Sequence, residues 1–195
     1  MAKIMSSSPQ TKTSDRPDRA ASDETDFTRV DECLVQLACS VLSLAEQKNL
    51  TVITAESCTA GLIAAVLSEA PGAATHLHGG FVTYTKPQKT AVLDVPAELL
   101  ERKGAVCAEV AVAMADGALR HSTADVAVAV TGVAGPAKDE DGNPVGLVYL
   151  AAARRGASPI QVERRFGDIG RSAIRYRAVA EAMALLTKVL ASGSR

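Results

Sequence analysis

Tryptophan is absent from this chain of 195 residues, and aromatic side chains make up 3% of it. A core without large rings must be filled by Ala, Val and Leu, and 47% of the residues are hydrophobic, so the supply is ample. The length suits one compact domain, which buries roughly 70% of the surface its unfolded chain exposes. A dominant charge is also missing: the formal net charge is −1. A nucleic-acid binder held by a broad basic field has a pI above about 9, so no nucleic-acid partner is expected, although a small cationic pocket is still allowed. No apolar run reaches the ~18 residues of a membrane span. The N-terminal MAKIMSSSPQ lacks the continuous apolar stretch of a secretory signal. The expectation is a cytoplasmic protein with no membrane partner. Cys33, Cys39, Cys58 and Cys107 form no CxxC pair, and the three histidines supply no zinc spacing. Reduced, mostly buried thiols and no metal site are therefore expected.

Residues 1–26 are Ser, Thr, Asp, Arg and Pro with almost no aliphatics. Such a segment buries too little apolar surface to offset its ordering entropy and reads as a disordered tail. From residue 27 onward the chain reads as a single domain, without internal repeats. Val30, Cys33, Leu34, Leu37, Val41 and Leu44 recur at three- and four-residue steps, one stripe of a helix capped by Asp26 or Thr28 and ended by Asn49. Strands are predicted over 50–54, 80–84, 126–131, 145–153 and 160–166. Helices are predicted over 59–68, 86–93, 96–103, 108–122 and 169–190. The third strand is apolar throughout, as in a strand covered on both faces. Residues 154–158 read as a hairpin connection. Strands alternating with helices, plus this hairpin, predict a three-layer α/β/α sandwich around a mixed, mostly parallel five-stranded sheet.

Three strand ends carry residues suited to chemistry. At TAESCTAGLIAAV, residues 54–66, an apolar strand gives way to small polar residues and then to a helical run. A helix N-terminus offers unpaired N–H groups and partial positive charge. Ser and Thr there are ordinary caps, but a nucleophile beside such donors would also have its oxyanion stabilised. Ser57 and Cys58 are the candidate nucleophiles. In TYTKPQK, residues 83–89, two lysines follow a strand. Either they are solvated surface charges, or one is a general base whose pKa is lowered by desolvation or a neighbouring cation. In TGVAGPAKDEDGNPVG, residues 131–146, glycines after a buried strand allow close backbone approach to a ligand. The segment lacks the Gly-Lys-Ser/Thr of a Walker loop, and a long polar turn is the competing reading. In GDIGRSAIRYR, Arg171 and Arg175 lie one helical turn apart at a predicted helix start. They either clamp a phosphate or pair with Asp168 and Glu181.

The stretches TAESCTAG, GFVTYTKPQK, GAVCAEVAVAMADGAL, AVTGVAGP, NPVGLVY and FGDIGRSAIR, taken in this order, resemble the CinA C-terminal domain family over roughly residues 34–190. The chain is similar to the stand-alone form, without the large N-terminal domain of longer CinA proteins. Enzymatic members of that family are nicotinamide-nucleotide amidohydrolases. The resemblance implies deamidation of nicotinamide mononucleotide to nicotinate mononucleotide and ammonia by a Ser/Lys pair, without metal or other cofactor. It places the nucleophile at Ser57 and the general base at Lys89, with Lys86 outside the family position. A neutral lysine in an electropositive, partly dry pocket can activate a serine, with the oxyanion near the N–H groups of Cys58, Thr59 and Ala60.

The substrate-binding positions expected alongside are Tyr84, Cys58, Thr59, Gly61, Thr131, Gly132, Gly135 and Arg171. Tyr84 is expected to position a catalytic group or to stack on the pyridine ring. The partner implied is a small-molecule nucleotide, and self-association into a homo-oligomer is a family-level expectation. Three departures stand out: Ala60 replaces a usual Gly, GDIGR stretches the usual GDR, and acidic residues 139–141 replace a Gly-Gly-Ser/Thr-rich loop. The acidic loop motivates an alternative, a non-catalytic nucleotide-binding or regulatory module linked to competence or DNA damage. A third reading makes Cys58 the nucleophile, since thiol pKa falls at helix starts.

Overall fold

Asp31 accepts a hydrogen bond from the Leu34 N–H at 3.1 Å, which caps helix α1 (Glu32–Gln47). The cap is thus Asp31, closer to the helix than the predicted Asp26 or Thr28. Asn49, in the left-handed conformation at φ 51°, ends the helix run as expected. The computed structural model describes residues 30–192, and the tail read at residues 1–26 lies outside them.

The remaining elements are β1 (Val52–Glu56), α2 (Leu62–Ser68), α3 (Ala73–His76), β2 (Leu77–Val82), α4 (Lys86–Leu93), α5 (Ala97–Lys103), α6 (Ala108–Arg120), β3 (Val126–Gly132), β4 (Leu147–Arg154), β5 (Ile160–Arg165) and α7 (Arg171–Ala191). The sheet order is β2-β1-β3-β4-β5. β1 pairs in parallel with β2 and β3, and β4 runs antiparallel to both β3 and β5. Four strands therefore share one direction, and the predicted mixed, mostly parallel sheet is observed.

Strand alternation divides the core into two layers. Val126, Val128, Val130, Val148 and Leu150 face α1, α2 and α7, whose Leu42, Ile63 and Leu186 complete that cluster. Ala127, Ala129, Ala151 and Ala153 face the other way, with Val110 and Met114 of α6 and Leu93 of α4. Register sets Ala55, Ala129 and Ala151 side by side across three strands. This small-residue floor, bordered by the partly buried rings of Phe81 and Tyr149, lets α6 lie close to the sheet. Among the described residues no helix is long and apolar enough to cross a membrane.

The chain leaves β1, returns as β2 on one side, then crosses the opposite sheet face to β3 on the other side. Parallel sheets bind ligands outside the carboxyl ends of their strands where the winding reverses. Here that place is the crevice above the ends of β1 and β3.

Candidate active site

The turn after β1 is built by Glu56. Its side chain is fully buried and folds over the turn. One carboxylate oxygen accepts from the N–H groups of Gly61 (2.9 Å) and Ile63 (3.1 Å), the other from Ala64 N–H (2.9 Å) and the Thr54 hydroxyl (3.1 Å). Helix α2 therefore begins at Leu62 rather than at the predicted residue 59. The intervening loop turns through two left-handed residues, Ala60 (φ 52°) and Gly61 (φ 91°). Gly suits such a backbone, whereas Ala60 adopts it at a steric cost. The donors at the start of α2 are thereby already occupied by a protein anion.

Ser57 sits on this turn. Its N–H donates to the Val130 carbonyl of β3 at 3.0 Å, which fixes it at the mouth of the crevice. Lys89 enters from α4, whose N-cap Thr85 and Pro87 in the first turn give a well-defined start. The Lys89 ammonium, only 1% exposed, lies 2.9 Å from Ser57 Oγ and donates to the Thr83 carbonyl at 2.7 Å. Burial pushes its pKa from 10.5 down to about 8, because the charged form loses hydration. No carboxylate pairs with it among the described residues. Cys58 beside it moves the other way. Burial pushes the thiol up to about 12, against the opposing field of Lys89. A thiol held protonated is a poor nucleophile, and the geometry favours Ser57 over the Cys58 reading.

Ser57, Cys58, Lys89 and Thr131 line one pocket of about 430 Å³, and Tyr84, Gly132, Gly135 and Arg171 complete the set drawn from the sequence. Thr59 and Gly61 do not reach it. Thr59 is fully buried, with no hydrogen-bond partner for its hydroxyl among the described residues, and the Gly61 N–H is spent on Glu56. Thr131 is at the pocket but donates its hydroxyl proton to the Ala105 carbonyl at 2.8 Å. The two arginines expected to act as a pair are separated. Arg171 stands at the pocket and donates to the Gly135 carbonyl (2.6 Å) and the Tyr84 hydroxyl (3.0 Å). Arg175 turns to the 57–60 turn instead and donates to the Thr59 carbonyl at 2.7 Å. Glu181, an expected arginine partner, takes Arg164 instead at 2.9 Å.

The acidic loop also borders the pocket. Lys86 meets Glu140 at 2.9 Å and Asp141 at 2.7 Å, and both contacts raise its pKa. The other Asp141 oxygen accepts from Ala105 N–H at 3.2 Å. Asp139 is turned into its own loop, where it accepts from the Asp141 and Asn143 N–H groups at 3.1 and 2.7 Å. Asp141 thus joins three segments around the pocket, and the single cation Lys86 faces both it and Glu140.

Comparison with known proteins agrees with this architecture. The CinA C-terminal domain profile matches residues 34–190. A "CinA-like protein" of Geotalea uraniireducens is 45% identical over 78% of this chain and 36% of its own length. One from Colwellia psychrerythraea is 53% identical over 59% of this chain and 27% of its own. The chain thus spans only about a third of the length of these curated relatives. Among solved structures, a competence/damage inducible protein from Agrobacterium tumefaciens superposes with a TM-score of 0.77 at 41% identity, covering 85% of this chain and 98% of that one. A CinA superfamily protein from Klebsiella pneumoniae gives 0.78 at 35% identity, covering 82% and 99%. Matched along nearly all of its described length in both sequence and fold, the chain belongs to the CinA C-terminal domain family.

Proposed function

We propose that the protein hydrolyses the carboxamide of nicotinamide mononucleotide, with Ser57 as nucleophile and Lys89 as general base. The observation that carries this reading is the buried contact of 2.9 Å between Lys89 Nζ and Ser57 Oγ, with a lysine whose pKa lies near 8. A neutral Lys89 accepts the Ser57 proton as Oγ bonds to the carboxamide carbon. The lysine then returns that proton to the leaving nitrogen as the C–N bond breaks, which releases ammonia and leaves an ester on Ser57. Water, activated by the same lysine, hydrolyses the ester to nicotinate mononucleotide. The oxyanion of each tetrahedral intermediate needs donors. Ala60 N–H already serves the Ser57 carbonyl at 3.0 Å, whereas the N–H groups of Cys58 and Thr59 have no backbone acceptor among the described residues.

The charge pattern suits the substrate. The two hydrogen-bond acceptors of Arg171 are neutral, so its charge is available to a phosphate. The acidic loop is held by Lys86 and the Ala105 N–H rather than by Arg171, and its carboxylates suit a pyridinium cation. The test is ammonia release from nicotinamide mononucleotide with a chelator present, beside Ser57→Ala and Lys89→Ala. Release by the wild type and loss of at least a hundredfold in both variants is expected. A folded wild type that binds the nucleotide, seen as a rise in Tm, yet releases no ammonia would replace this reading with that of a non-catalytic nucleotide-binding module.

A further inference from the structure

Arg175 is a half-buried cation without a carboxylate partner among the described residues, and its Nε is fully buried. Its guanidinium donates to the Thr59 carbonyl at 2.7 Å, and its buried Nε has no hydrogen-bond partner among the described residues. No carboxylate pairs with it among those residues either. Burying its Nε without a hydrogen-bond acceptor is costly, so its placement calls for a reason beyond packing. The peptide it grips supplies one. Thr59 C=O and Ala60 N–H belong to the same peptide group, and Ala60 N–H donates to the Ser57 carbonyl at 3.0 Å. The Ser57 carbonyl in turn shares its peptide group with the N–H of Cys58. Arg175 therefore stands at the head of a line of two hydrogen-bonded peptide groups that ends at a pocket-lining residue next to the nucleophile.

A cation at the carbonyl end of such a line polarises each peptide in turn, and cooperative strengthening is about 10–30% per bond. The effect makes the last N–H a stronger donor. The start of α2 is closed to this task, because Glu56 occupies the N–H groups of Gly61, Ile63 and Ala64. We infer that Arg175 is a positioning residue that holds the 57–60 turn and strengthens the Cys58 N–H as oxyanion donor through the Thr59–Ala60 and Ser57–Cys58 peptides. The inference rests on the amidohydrolase reading, so ammonia release by the wild type and its loss in Ser57→Ala must be established first. Failure there would remove the reaction itself and leave the role of Arg175 without an object.

The experiment compares Arg175→Gln and Arg175→Lys with wild type, each confirmed as folded by thermal unfolding. Rates are measured on nicotinamide mononucleotide and on its thioamide analogue, whose sulfur is the poorer hydrogen-bond acceptor. Removing a whole oxyanion donor costs about a hundredfold or more. Weakening one from behind in Arg175→Gln is expected to lower kcat roughly tenfold on the amide, with KM unchanged. The loss on the thioamide is smaller, so the amide-to-thioamide ratio falls. Arg175→Lys keeps the cation and recovers most of the rate, with an intermediate ratio. Equal losses on amide and thioamide would show a merely structural residue and overturn the inference. So would a raised KM with kcat kept, or a lysine variant as poor as the glutamine. If Arg175→Gln does not fold, Arg175→Lys alone decides, since its shorter side chain must still lower the ratio below that of the wild type.

Discussion

Lys86 and Lys89 occupy adjacent positions on one helical face and are driven in opposite directions, Lys86 upward by two carboxylates and Lys89 downward by burial. Only the second fits the proposed role of base. The rate should therefore rise with pH through about 8, as the Lys89 ammonium loses its proton, and a pH profile of kcat/KM checks this. The same shift sets a stability trend. The unfolded lysine keeps its proton up to 10.5, the folded one only up to about 8. Between those values the unfolded chain binds more protons, so stability rises with pH across that window. Below it, the buried charge costs the fold about 3 kcal/mol. Lys89→Met removes this cost and also the bonds to Ser57 and Thr83, worth about 1 kcal/mol each. The variant should be inactive yet raise Tm at pH 7 by an amount equivalent to about 1 kcal/mol, with the gain gone near pH 9 and the variant less stable than wild type by about 1–2 kcal/mol at pH 10.5. A Tm below wild type at pH 7 would count against the assigned burial cost.

At the scale of elements, α4 carries Lys89, and its far end is held by α6. A Cβ at Gly117 would collide with the Leu93 carbonyl at the last turn of α4. Gly117→Ala should cost about 2 kcal/mol or more and lower turnover as well, because the shift reaches Lys89 through its own helix. Denaturant unfolding and kcat together check this, and a stable variant with normal kcat would show that α4 has room to move. The sequence was a good guide to α4, because its signals are local: an N-capping Thr85, Pro87 in the first turn and a left-handed stop at Asp94. It misplaced the start of α2, because the partner of that helix end is Glu56, a side chain that turns back from the preceding strand. Helix α3, at four residues, is too short for any period to appear. Ser57 and Lys89 are singled out by family resemblance, since a separation of 32 positions gives no pattern that spacing alone could reveal. Arg175 showed in the sequence only as half of an arginine pair. Its actual partner, a backbone carbonyl, leaves no mark on composition.

At the scale of the whole molecule, three strand ends, the start of α4 and the 139–142 loop converge on one crevice, and Asp141 ties two of these segments together through Lys86 and the Ala105 N–H. Asp141→Ala should free the loop while the core stays intact. Hydrogen exchange should quicken over residues 138–143 and at the Ala105 amide, with global stability changed by about 1 kcal/mol or less. Unchanged exchange would show that Asp139 alone holds the loop.

The tyrosine at the pocket mouth has a practical consequence. With no tryptophan and three tyrosines in the chain, near-ultraviolet emission arises from tyrosine alone. Tyr84, 55% exposed and bonded to Arg171, is the one of the three that borders the pocket. A nucleotide that engages Arg171 must disturb that phenol, so the protein carries its own optical reporter of occupancy, and a Tyr84→Phe variant would silence it.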